Sequence, residues 1–115
     1  MDIRIRRVYE PLAADDGTRV LVDRLWPRGV AKAKLPDTQW MKDIAPSTAL
    51  RESFAHQPGR WAEFRKHYFK ELDANPDAVD ALRKLARHGR LTLLYAARDE
   101  AHNNALALRD YLLGH

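Results

Sequence analysis

Leu91–Ala97 reads LTLLYAA, with no charge and no alternation of apolar and polar residues. A strand with one face in water alternates; a run that does not is suited to a position covered on both faces, as in a parallel sheet. A second such run, Val20, Leu21 and Val22 within RVLVDRL (Arg19–Leu25), ends abruptly in WPRG. Ile3, Ile5 and Val8 lie in a charged segment whose alternation fits a strand near a sheet edge, with Arg4 and Arg6 turned to water. The turn-rich stretch Ala13–Thr18 closes that strand.

The remaining segments carry the period of amphipathic helices. Ser47 is placed to cap a helix bearing Leu50 and Phe54, stopped by Gln57, Pro58 and Gly59. Trp61, Phe64, Tyr68 and Leu72 make one helix face, on which Glu71 is expected to be solvated or paired to an arginine. Asn75 before Pro76 reads as a cap for a helix carrying Val79, Leu82, Leu85 and Ala86, with Gly89 as its stop. Ala101, Ala105, Leu108 and Leu112 mark the last helix, with Asp99 as its expected cap. The pattern predicts an α/β fold: a single small domain over residues 1–115, with a mostly parallel sheet of three to five strands flanked by helices.

With 115 residues, 45% of them hydrophobic, the chain can build one core without staples. It has no cysteine, which excludes disulfides, thiolate metal sites and cysteine nucleophiles. The net charge of +4 is spread evenly: successive blocks of about thirty residues carry +1, +2, +2 and −1. A basic arm of the kind that marks nucleic-acid binding is therefore missing from the pattern. No apolar run approaches the roughly 18 residues of a membrane span. The charged beginning MDIRIRRVYE leaves no apolar signal segment, so a cytoplasmic protein with no membrane partner is expected.

Ligands of parallel α/β sheets gather outside the carboxyl ends of the strands. There the second strand leads into Asp23, Arg24, Trp26, Pro27, Arg28 and Gly29, and the last into Arg98, Asp99, His102 and Asn103. If those strands are parallel neighbours, Arg24, Arg28 and Arg98 converge beside a helix N-terminus and suit a phosphate, carboxylate or sulfate. Lys42 could add a cation and Ser47 a hydroxyl, whereas Ser47 lacks the setting of a nucleophile. His102, three residues after Asp99, is a candidate acid/base, with Asp23 and Asp99 as the accompanying carboxylates. Each has a structural alternative. Asp23 with Arg24 or Arg98 can be a buried ion pair that locks the loops, and Trp26 a core or lid aromatic rather than a stacking platform. His102 and Asn103 can serve only the local cap. His56, His67, His88 and His115 show no ligand spacing with carboxylates, so neither a metal nor a cofactor is expected.

The ordered motifs VDRLWPRG, WMKDIAPS, the Trp61–Leu72 face and LTLLYAARDEAHNNA together resemble the YeaO-like proteins of the domain of unknown function 488 family, over about Ile3–Leu113. The resemblance implies a small bacterial α/β protein whose functional residues lie in those motifs. It supplies no reaction. Other branches of the family carry cysteines around the loop after the last strand, where this chain has Ala96, Ala97 and Arg98. The similarity of that layout to rhodaneses and cysteine phosphatases is architectural, and their chemistry is closed to a chain without cysteine. The reading to test is a small anionic, phosphate-bearing or similar ligand held in an arginine-lined pocket, with acid/base hydrolase or transferase chemistry left open. The alternative is a nucleic-acid-associated or protein-interaction module without catalysis.

Overall fold

The computed structural model describes residues 1–55 and 57–114. Its centre is a four-stranded, wholly parallel sheet of β1 (Ile3–Arg7), β2 (Thr18–Leu21), β3 (Thr38–Trp40) and β4 (Leu91–Tyr95), in the spatial order β1-β4-β2-β3. The most apolar run therefore occupies the centre, and all five of its residues are buried. Leu93 pairs with Ile5 on one side and Val20 on the other, so β2 and β4 are the parallel neighbours that the site argument required.

Four helices follow: α1 (Thr48–Phe54), α2 (Trp61–Asp73), α3 (Pro76–His88) and α4 (Asn104–Leu112). All pack on one face of the sheet, where Ile3, Val20, Leu91, Leu93 and Tyr95 meet Phe54, Phe64, Leu72, Leu82 and Leu108 in one core. Tyr68 lies wholly buried in that core, its hydroxyl donating to the Ile44 carbonyl at 2.6 Å, and burial holds the phenol neutral. Among the described residues the opposite face carries no α-helix, only the short 3-10 turn Lys32–Lys34 that ends at Leu35. Leu21 and Leu94 are covered there by Val8, Leu12, Trp26, Val30 and Leu35 from the loops after β1 and β2. The expected parallel α/β domain is present, with its flanking helices gathered on a single side.

Several boundaries differ from the pattern reading for identifiable reasons. β3 is absent from that reading because it is a three-residue edge strand with the polar sequence TQW. β2 stops at Leu21, one residue short of the end of the apolar run Val20–Val22: Val22 still donates to the Leu94 carbonyl, but Arg24 turns away onto the Pro46 and Ala45 carbonyls. β4 stops at Tyr95 because side chains replace its ladder partners. Ala96 N–H donates to the Asp23 carboxylate, while Arg7 donates to the Ala97 and Ala96 carbonyls. The last helix begins at Asn104, not after Asp99. Buried Asn103 caps it by accepting from Leu106 N–H at 2.8 Å, and Asp99 instead closes its own turn by accepting from Ala101 and His102 N–H. Ala101 and His102 consequently precede the helix. Asn75 stands before α3 as expected but makes no side-chain cap; its amide donates to the Asp43 carbonyl.

The edge-strand arginines are not simply solvated. On the loop-covered face Arg4 pairs with Asp15 and Arg6 with Asp16, and Arg6 also reaches Glu10 beyond the end of β1. Asp16 is only 1% exposed and also accepts from Arg19 at 2.9 Å and from Ala13 N–H. Burial raises its pKa, but the Arg19 hydrogen bond, the Ala13 amide and the charges of Arg6 and Arg19 outweigh it and hold the carboxyl below its ordinary range. Gly17, beside it, has a φ of +70°, and a Cβ there would run into the Arg90 carbonyl that receives Thr18 N–H.

Candidate functional site

All four strands are parallel, so their carboxyl ends share one side of the sheet. A cavity of about 490 Å³ opens there. The loop after β2 supplies Asp23, Arg24, Leu25, Trp26, Pro27 and Arg28; the loop after β4 supplies Ala96, Ala97 and Asn103. Tyr9 enters from the end of β1, Ala45 and Pro46 from the approach to α1, Arg51 and Phe54 from α1, Phe64 from α2 and Asn104 from α4.

Burial sorts these residues by depth. Ala45, Pro46, Phe54, Phe64, Pro27 and Asn103 are buried and form the floor, where the Phe54 and Phe64 rings stand 4.6 Å apart. Asp23, Arg24, Arg51, Trp26, Ala96, Ala97 and Asn104 are half-buried and form the walls. Tyr9, Leu25 and Arg28 are exposed at the rim, Leu25 at 59%.

The expectation for Asp23 is an ion pair with Arg24 or Arg98; the hydrogen bonds it accepts join the two loops, from Ala96 N–H at 2.9 Å and the Asn104 amide at 3.0 Å, and that amide also reaches the Val22 carbonyl. Arg24 donates to the Pro46 and Ala45 carbonyls, each at 3.2 Å, so part of its fork holds the wall in place. Among the described residues, no hydrogen bond or ion pair engages the guanidinium of Arg28 or of Arg51. Trp26 is fixed by its indole N–H, which donates to the Val30 carbonyl at 2.6 Å, and its ring meets Trp40 edge-on at 5.4 Å. Tyr9 ties the rim together by donating to the Arg28 carbonyl.

Other residues singled out in the sequence lie elsewhere. Arg98 is exposed and does not line the cavity. Lys42 sits with its ammonium 5.0 Å from the Trp40 ring centre. Ser47 is engaged in capping: its hydroxyl accepts from Leu50 N–H and donates to Glu71 at 2.6 Å, and Glu71 also receives Ser47 N–H. Half-buried Glu71 therefore spends its carboxylate on Ser47 rather than on an arginine.

His102 and Asp99 form a pair outside the cavity. The imidazole Nδ1 lies 2.9 Å from Asp99 Oδ2, and the ring abuts Trp61 edge-on. The hydrogen bond from His102, with the Ala101 amide, holds the Asp99 carboxyl below its ordinary range. The structure therefore brings Asp23, Arg24, Trp26, Arg28 and Asn103 together, and leaves Arg98, Asp99, His102, Lys42 and Ser47 out of the cavity. Among the described residues no group of His, Asp or Glu is arranged to hold a metal, and His56 and His115 lie outside them.

Arg51, Phe54, Phe64, Tyr9 and Asn104 line the cavity but are not among the expected site residues; Phe54 and Phe64 are expected only on helix faces. Arg51 carried a usable signal: it precedes Phe54 by three residues, which places both on one side of α1. Tyr9 carried another, because the end of β1 must share the side on which the other parallel strands end.

This arrangement defines a class: a small parallel α/β domain with an arginine-bearing cavity at its strand ends. The chain belongs to the DUF488-N3i family, described as the inactive DUF488-N3 subclade, which matches residues 2–115. It is 44% identical over 112 residues to the uncharacterized protein YeaO of Escherichia coli K12, covering 97% of each chain. It is also 44% identical to the uncharacterized protein Rv3073c of Mycobacterium tuberculosis and to Mb3100c of Mycobacterium bovis, over 97% of this chain and 94% of each relative. No solved structure matches it significantly.

Proposed function

We propose that this protein binds a small anionic ligand at the carboxyl ends of its strands, without turning it over. The observation that carries the reading is the pair of guanidiniums, Arg28 and Arg51, which line one cavity and have no partner among the described residues. Elsewhere in the molecule Arg4, Arg6, Arg19 and Arg90 each face a carboxylate. Arginine forks match oxyanions through paired hydrogen bonds, and the remaining donors of Arg24 add a third cation to the same wall.

The non-catalytic form of the reading is supported by three facts. The Asp99–His102 pair stands outside the cavity, Ser47 is committed to a helix cap, and the family is described as an inactive subclade. A nucleic-acid surface has less support, because the Trp26 ring is pinned edge-on against Trp40 and by its own N–H rather than offered as a stacking face. A cytoplasmic location belongs to the reading; no helix among the described residues is long and apolar enough to cross a membrane.

The test is a thermal-shift series with phosphate, sulfate and a short single-stranded oligonucleotide on the unaltered protein and on Arg28→Ala/Arg51→Ala. An anion at 100 times its dissociation constant adds about 2.7 kcal/mol, a rise on the order of 10 °C, and the double variant should lose it. Binding that survives the double variant overturns the reading. Binding of the oligonucleotide alone, falling steeply with salt, replaces it with a nucleic-acid surface.

A further inference from the structure

Building on that anion-binding reading, we infer that the ligand is an amphipathic organic anion: one charged head group carried on a flat apolar body, with the body seated inward and the head at the mouth. Three observations converge. A volume of about 490 Å³ falls in the range of sites for small organic molecules, whereas a bare oxyanion would leave most of it to water. The buried part of the lining is mostly apolar, with Phe54 and Phe64 forming a tilted aromatic pair alongside Ala45, Pro46 and Pro27, and its polar member, Asn103, has its side chain spent on the α4 cap. A ring or short chain placed there would replace water against apolar surface, which is favourable in proportion to the area covered.

Charge is graded along the same axis. The unengaged guanidinium of Arg28 belongs to an exposed residue and that of Arg51 to a half-buried one, while the Asp23 carboxylate is held by Ala96 N–H and the Asn104 amide. A head group lodged against the Phe54–Phe64 pair would exchange guanidinium donors for apolar rings that cannot replace its hydrogen bonds. A head group at the mouth reaches both arginines and keeps clear of the floor. The site is thus polar in one direction, and it should discriminate by the body of the ligand as well as by its charge.

Calorimetric titration of the full chain with three probes tests this: inorganic phosphate, phenyl phosphate and phenol. Phenyl phosphate should bind at least about tenfold tighter than inorganic phosphate, equivalent to about 1.4 kcal/mol, and tighter than phenol by a similar factor. Arg28→Ala/Arg51→Ala should abolish the advantage of phenyl phosphate over phenol. Ala97→Leu, which adds bulk to the wall, should weaken phenyl phosphate more than inorganic phosphate. Equal affinity for the two phosphates overturns the amphipathic inference and leaves the anion reading standing. Phenol binding as tightly as phenyl phosphate removes the anion reading as well, as does the absence of binding by all three. Tight phenyl phosphate binding that the double arginine variant does not change places the ligand elsewhere and overturns the inference.

Discussion

The two ends of the sheet differ in what their arginines meet. At the amino-terminal end, Arg6 and Arg19 close on Asp16, Arg4 on Asp15, and Arg90 on Asp2 and Asp15. At the carboxyl end, Arg28 and Arg51 line a cavity and meet no carboxylate among the described residues. The first cluster ties loops to strands; the Thr92 hydroxyl even donates to the Asp16 carbonyl, fixing the loop across the central strand. The second leaves donors unspent beside empty volume. An arginine therefore becomes a candidate for binding through what the fold withholds from it, and its sequence neighbours do not reveal that.

The ionic end depends most on Asp16. Replacing it by Ala should cost about 3 kcal/mol, because it removes the buried partner that Arg6 and Arg19 share. Denaturant unfolding measures this, and a loss below about 0.5 kcal/mol, the level of an ordinary surface change, would show that the ionic end is not structural.

Acid sharpens the same contrast. The folded-state pKa of Asp16 lies below its ordinary value of 3.8, so its contribution is present above that value and is lost as pH falls through the lower, folded one. The melting temperature should drop on acidification below about pH 4, and the drop should be shallower in Asp16→Asn, which carries no titrating carboxyl there. Identical acid profiles for the two proteins would assign the loss to other carboxylates, such as Asp2 and Asp99, which are also held low.

The reading of the fold from the sequence succeeded where one signal dominated. LTLLYAA has a single good home, the centre of a parallel sheet, and the apolar faces of α2 and α3 fixed those helices. It failed where signals competed over short distances. Asp99 and Asn103 are both good caps; Asn103 prevails because its side chain is buried, accepting from Leu106 N–H while donating to the Asp99 and Glu100 carbonyls. That shift of four residues removes His102 from the helix. Three residues of polar edge strand gave no periodicity to detect. For the site, placing it at the ends of β2 and β4 followed from topology and led to Arg24 and Arg28. Arg51 and the Phe54–Phe64 floor come from the long β3-to-β4 connection, whose path over the sheet is set by core packing rather than by local pattern.

The smallest expected effect is the most telling for the carboxyl end. Arg28→Ala and Arg51→Ala remove no described hydrogen bond or ion pair, so each should change stability by no more than about 0.5 kcal/mol, the range of surface substitutions. Truncating Arg51 also strips methylene stem from the cavity wall, which makes it the more exposed of the two to a small packing loss. Both variants should unfold with the cooperativity of the parent, and under the proposed anion binding they should lose any stabilisation by phosphate or sulfate. A variant that melts far lower without any ligand would mean that the arginine is spent on the fold after all, and the two ends of the sheet would then be built alike.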